Sequence, residues 1–169
     1  SRRMINLDSE EDDALFVGCA GGRDTIFTVK DRLNKAPKGT VGRKITVKGH
    51  KGGHSGLDIH RGRGNANQIL ARALHWASRQ MKVRVAAFDG GALRNAIPRE
   101  ATAKVVVLEK DAREFKKLVD GFLARVKREE LAGEDEGMEW KVASAKVERA
   151  FGPGVTQRLL DLLVTIPNG

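Results

Sequence analysis

From Arg43 onward the chain switches between two hydrophobic periods, and the order of the switches leaves few folds open. Residues 43–49 (RKITVKG) alternate with period two, which puts Ile45 and Val47 on one face of a strand. Residues 65–79 change to helical spacing, with Ile69, Leu70, Ala73, Leu74 and Ala77 on one stripe, and Asn65 or Asn67 can serve as the N-cap. Residues 81–88 return to period two, with Val83, Val85 and Ala87 facing one way and Lys82 and Arg84 the other. A turn at 89–91 and a second loop at 93–98 precede another strand at 100–108. Asp111 then caps the longest helix, whose stripe is Phe115, Leu118, Val119, Phe122, Leu123 and Val126. A turn at 133–137 (GEDEG), a strand at 138–147 bearing Trp140 and Val142, and a helix at 155–164 with Leu159, Leu160 and Leu163 complete the pattern. The order β-α-β-β-α-β-α predicts an α+β, ferredoxin-like antiparallel sheet with its helices on one face.

Ahead of this unit, apolar runs at 4–7, 14–20 and 25–29 read as extra N-terminal strands, and 34–42 as a turn. No helical pattern accompanies those strands, and the last residues are apolar. The sequence therefore reads as a piece of a longer protein.

Charge narrows the function classes less than its size suggests. The formal net charge is +9, which permits a polyanionic partner. The cations are dispersed, however: Arg43, Lys44, Lys48, Lys82, Arg84 and Lys104 alternate with apolar residues, and Lys116, Lys117, Arg125, Lys127 and Arg128 decorate one helix. There is no tyrosine, and the aromatics form no base-stacking ladder. A solvated basic surface is the reading. No apolar run reaches the ~20 residues a membrane span requires. A single cysteine, Cys19, excludes an internal disulfide and a multi-cysteine zinc site, and fits a reducing cytoplasm.

The chemistry gathers in residues 49–67, GHKGGHSGLDIHRGRGNAN, which hold three of the four histidines and six glycines. Glycines around a polar side chain let the backbone adopt positive φ and approach something closely. The stretch is either a flexible connector or a shaped loop presenting His54. His50, His54 and His60 lack the i, i+4 spacing of a helical zinc motif, and no complete catalytic constellation is present. His50 and His60 read as structural, His60 packing or bonding near the helix start.

GGHSG at 52–56 with Asn65-Ala66 opening a helix, and GALRNAIP at 91–98, resemble two lid-domain motifs of the di-zinc metallopeptidases. That family includes carboxypeptidase G, carnosinase and succinyl-diaminopimelate desuccinylase. INLDSEEDDALFVGCAGG at 5–22, HSGLDIHRGRGNANQILAR at 54–72 and LLDLLVTIPNG at 159–169 resemble its Xaa-His dipeptidases. The resemblance covers essentially the whole chain. It implies that residues 1–21 end a catalytic zinc domain and that 22–169 begin a lid and dimerisation domain. It also implies that Asp8 is a zinc ligand, that His54 donates to the substrate oxyanion or carboxylate, and that Asn95 hydrogen-bonds substrate. Two zinc ions, the other ligands and the general-base glutamate would be supplied by segments outside this chain. The implied parent is a cytoplasmic homodimeric dipeptidase with no nucleic-acid or membrane partner, and this piece alone would be inactive. Such lids dimerise by pairing a helix and a sheet edge, and the 65–79 helix, with Trp76 on its flank, is the expected helix.

Two readings from other classes compete. One is a basic ferredoxin-like nucleic-acid-binding module, which should expose aromatics on its two central strands. The other is a dimerisation domain with no ligand role.

Overall fold

The computed structural model describes residues 13–18, 21–28 and 31–168. The chain divides into two compact units, 1–30 and 31–169. In the first, the described residues 14–18 and 25–28 form no strand, contrary to the expectation for 14–20 and 25–29. Leu15, Val17 and Ile26 are exposed instead. A strand is held by a ladder to a neighbour, and no described residue supplies one. The expected strand at 4–7, Asp8 and Cys19 lie outside the described residues.

The second unit carries the predicted α+β architecture. Its elements run β1 (Asn34–Lys35), β2 (Thr40–Lys48), α1 (Ala66–Gln80), β3 (Val83–Gly90), β4 (Ala101–Leu108), α2 (Ala112–Glu129), β5 (Glu139–Ser144), β6 (Arg149–Ala150) and α3 (Pro153–Thr165). Four strands form one antiparallel sheet in the order β3-β4-β2-β5. This is the ferredoxin-like order, in which each helix crosses over between strands that are not neighbours. Ile45 lies opposite Ala103 on one side and Val142 on the other, and Val47 opposite Ala101 and Trp140. The period-two residues therefore meet on one face, against the stripes of the helices. Ile45, Val47, Leu70, Leu74, Val85, Val105, Phe115 and Leu123 are fully buried there. Each such aliphatic or aromatic side chain contributes about 1.5–3 kcal/mol of transfer free energy.

The helix ends follow the sequence in part. Asn65, not Asn67, caps α1, its side chain accepting from the Gln68 amide at 3.2 Å. Asp111 occupies the N-cap of α2 but makes no side-chain cap bond, because a short 3-10 turn over Glu109–Asp111 leads into the helix.

Two features depart from the simple pattern. Residues 34–35, expected in a turn, pair with β6 in a separate two-stranded ribbon, and the expected strand 138–147 stops at Ser144. The segment after β6 then covers part of the edge of β3. The Phe151 amide donates to the Val85 carbonyl at 2.8 Å, and the Val85 amide donates to Thr156 Oγ1 at 3.1 Å. The register of β3 against β4 shifts between Val85 and Ala87, immediately after this clamp.

α1 packs between α2 and α3. Arg72 makes a bidentate pair with Glu130 at the end of α2, both contacts 2.7 Å. On the α3 side, His75 Nε2 lies 3.1 Å from Asp161, and Gln68 Nε2 donates to the Ile166 carbonyl at 3.1 Å. Trp76 is 42% exposed. Among the described residues, the open backbone edges of the sheet are β5 and the latter half of β3.

Candidate functional site: two loops that present His54 and Asn95

Two loops leave the same end of the sheet and lie side by side. The first joins β2 to α1 and carries His54. The second joins β3 to β4 and carries Asn95. They are stitched by an isolated antiparallel bridge between His54 and Ala96. The Ser55 amide donates to the Asn95 carbonyl at 2.9 Å, and the Ile97 amide to the Gly53 carbonyl at 2.9 Å. Ile97 is buried, whereas His54 and Asn95 are both exposed. The two lid residues singled out in the sequence are therefore neighbours in space.

The glycine-rich loop is shaped rather than loose. Asp135, fully buried in the turn after α2, holds both of its feet. Its Oδ1 accepts the Lys51 amide at 2.9 Å, and its Oδ2 accepts the Gly64 amide at 2.9 Å. The same Oδ2 lies 2.9 Å from Nδ1 of His50, which is itself 1% exposed. A side chain at Gly64 would place its Cβ 2.4 Å from His50 Nδ1, so only glycine fits beside this pair. His50 is structural, as read from the sequence. Arg99 adds a tie to the second loop, its Nε donating to the His50 carbonyl at 3.2 Å.

Within the loop, residues 54–58 form one closed turn. The Asp58 amide donates to the His54 carbonyl at 3.0 Å. The amides of Gly56 and Leu57 donate to His54 Nδ1 at 3.1 and 3.2 Å. Backbone N–H groups only donate, so Nδ1 is the acceptor and the neutral ring carries its proton on Nε2. In return, the Asp58 carboxylate accepts the His54 amide at 2.9 Å. The exchange resembles a capping box, with histidine in the place of the usual hydroxyl residue. Arg61 and Arg63 lie 3.1 and 3.4 Å from the Asp58 carboxylate, and Arg63 also donates to the Gly52 carbonyl at 2.6 Å. The His54 amide, aided by the charges of Arg63 and Arg61, holds the Asp58 carboxyl below the usual carboxylate range, against the opposing effect of burial. Gly53 sits at φ 142°, and a Cβ there would come 2.3 Å from Arg63 and 2.6 Å from Asp58.

Beside the loops runs an open cleft of about 740 Å³, lined by Lys48, His50, Asp89, Leu93, Ile97 and Glu100 among others. A smaller hollow of about 320 Å³ lies between the loops and the start of α1, with Ser55, Asn65, Asn67 and Asn168 in its wall. His60 is exposed on the 3-10 turn Ile59–Arg61, so the expectation that it packs or bonds near the helix start is not met. That turn is one element short of the helix, bracketed by the half-buried Asp58 and the exposed Gly62. Among the described residues, no three His, Cys, Asp or Glu side chains converge as a metal site. None of the described helices is long and apolar enough to cross a membrane.

Sequence reading missed Asp58, Arg63 and Asp135. The i, i+4 spacing of His54 and Asp58 was a usable signal for a reciprocal cap. Asp135, separated from His50 by 85 residues, gave none. The central strands β2 (TVGRKITVK) and β4 (ATAKVVVL) carry no aromatic residue, which leaves the nucleic-acid module without its stacking platform.

An antiparallel sheet backed by helices and tipped by a glycine-shaped histidine loop defines a lid of the peptidase dimerisation type. The chain belongs to the M20 peptidase dimerisation domain family, which it matches over residues 36–134. At closer range it is similar to the cytosol non-specific dipeptidase of Escherichia coli (strain K12), with 38% identity over 167 residues, 98% of this chain and 34% of that protein. It is also similar in structure to an aminoacylhistidine dipeptidase from Vibrio alginolyticus. The TM-score there is 0.77 at 35% identity, over 82% of this chain and 28% of that one. A hydantoinase/carbamoylase family amidase from Burkholderia ambifaria shares the fold, with TM-score 0.53 at 15% identity over 66% of this chain and 28% of that one. The chain thus spans about a third of the length of the relatives it matches.

Proposed function

We propose that this chain is the lid and dimerisation segment of a zinc-dependent cytoplasmic dipeptidase that hydrolyses Xaa-His dipeptides. Residues 1–21 then close the catalytic domain and residues 22–169 begin the lid. In this reading His54 donates from Nε2–H to the oxygen that gains negative charge during peptide cleavage, or to the substrate carboxylate. Asn95 hydrogen-bonds the substrate beside it, and Asp8 is this chain's one contribution to the zinc site. In this reading the remaining metal ligands and the general base come from other segments of the parent. Two copies associate through their lids, for which the open edges at β5 and the latter half of β3 offer unpaired backbone groups.

The observation that carries the reading is the state of the His54 ring. Its Nδ1 is closed by two backbone amides on an exposed, rigidly tied loop, which leaves Nε2–H as a fixed donor. A preorganised donor aimed at developing oxyanion charge is worth ~10²–10³ in kcat. The test is His54→Ala in the full-length enzyme, with Xaa-His dipeptides as substrate and metal content measured in parallel. Turnover should fall by that factor while metal content stays at the wild-type level. Near-normal turnover would remove His54 from the chemistry.

A further inference from the structure

We infer that Asp58 is the positioning residue of His54: it holds the imidazole in the Nε2–H form through the His54 backbone. This rests on the reading of His54 as the donor. The geometry is specific. Asp58 Oδ2 accepts the His54 amide at 2.9 Å, while the Asp58 amide closes the turn on the His54 carbonyl at 3.0 Å. Only with that turn closed do the amides of Gly56 and Leu57 converge on Nδ1. Remove the carboxylate and the His54 amide loses its acceptor, so the turn that selects the tautomer is held only by the Asp58 amide on the His54 carbonyl and by the bridge to Ala96.

The carboxylate is itself held in place. Arg61 Nε meets Oδ1 at 3.1 Å, and Arg63 stands 3.4 Å from Oδ2 while donating to the Gly52 carbonyl at 2.6 Å. Gly53, threaded between Arg63 and Asp58, has no room for a side chain. The Asp58 carboxylate is thus committed to the His54 amide and to the two arginines. It acts through His54, in the way that carboxylates orient histidines elsewhere by hydrogen bonding. Here the bond goes to the histidine's main chain, and the ring nitrogen is fixed one step later by the turn.

The experiment has two arms. In the 169-residue chain, ¹⁵N NMR of the histidine ring reads the tautomer directly. Wild type should show an acceptor-type Nδ1 and a protonated Nε2 for His54. Asp58→Ala should shift both nitrogens toward the averaged values of a free imidazole. Asp58→Asn keeps an acceptor oxygen for the His54 amide and should retain the wild-type pattern. In the full-length enzyme, Asp58→Ala should lower kcat by ~10–100-fold, the usual cost of losing an orienting partner, with KM nearly unchanged and Asp58→Asn restoring most of the loss. An unchanged ring spectrum in folded Asp58→Ala would overturn the positioning role. If Asp58→Ala does not fold, loss of the tautomer in folded Asp58→Asn would overturn it equally. If the tautomer behaves as expected but His54→Ala leaves turnover intact, the positioning stands and the catalytic reading of His54 falls.

Discussion

Asp135→Ala should be among the most damaging single changes in this chain, although Asp135 is far in sequence from the loops that carry His54 and Asn95. One buried carboxylate accepts from the Lys51 amide, the Gly64 amide and the His50 ring. Alanine leaves all three without an acceptor. A buried donor left unpaired costs about 1–3 kcal/mol. The Lys51 amide bond is only part-buried, so its share is smaller. His50 and Gly64 are buried, and together they set a loss of roughly 3–5 kcal/mol, the usual result of breaking a buried pair by removing one partner. For a chain of this length each kcal/mol moves the melting temperature by about 2–4 °C, so a fall on the order of 10 °C is expected by calorimetry. Asp135→Asn keeps one acceptor oxygen and should lie between wild type and alanine. Hydrogen exchange at the Lys51 and Gly64 amides should accelerate in both variants. A loss below about 1 kcal/mol in urea unfolding, with unchanged slope, would mean that the loop feet are held by other contacts and that the accounting of donors is wrong.

Other outcomes follow from the same geometry. Thr156→Val removes the acceptor of the Val85 amide and should cost about 1–3 kcal/mol in thermal or urea unfolding. Gly53→Ala forces a Cβ into Asp58 and Arg63 at a φ that side chains rarely adopt, and should cost ~1–3 kcal/mol and disturb the His54 ring spectrum. Glu130 is held below its ordinary 4.5, first by its hydrogen bonds to Arg72. Its stabilisation is therefore present above about pH 4.5 and is lost as the pH falls through the lowered native value. Because the pair is partly exposed, Glu130→Gln should cost less than about 1 kcal/mol at pH 7 and nothing measurable once the wild-type carboxylate is protonated. The isolated chain with added zinc should not hydrolyse an Xaa-His dipeptide. Its self-association in sedimentation should strengthen as salt screens the net charge of +9; a monomer at every salt and concentration would place the dimer contacts outside this chain.

The sequence by itself determined the sheet, the two helices that cross over between its strands, and the position of the shaped loop. The reason is that these rest on local periodicity. Val83 and Val85 must share a face if a strand forms, and Ile69, Leu70, Ala73 and Leu74 must share a stripe if a helix forms. The glycines of 49–67 announced an irregular loop because few backbones need so much conformational freedom. Three things were decided only by tertiary structure, and each turns on a partner distant in the chain. The apolar runs at 14–18 and 25–28 look like strands, but a strand exists only where another strand completes its hydrogen bonds. The short helix after residue 152 was visible in the sequence, but not that the segment leading into it clamps the edge of β3, because Thr156 meets the Val85 amide. His54 and Asn95 were both visible as motif residues. Their adjacency comes from backbone bonds between loops some forty residues apart, and the footing of the histidine loop from a carboxylate in the turn after α2, which no local pattern encodes.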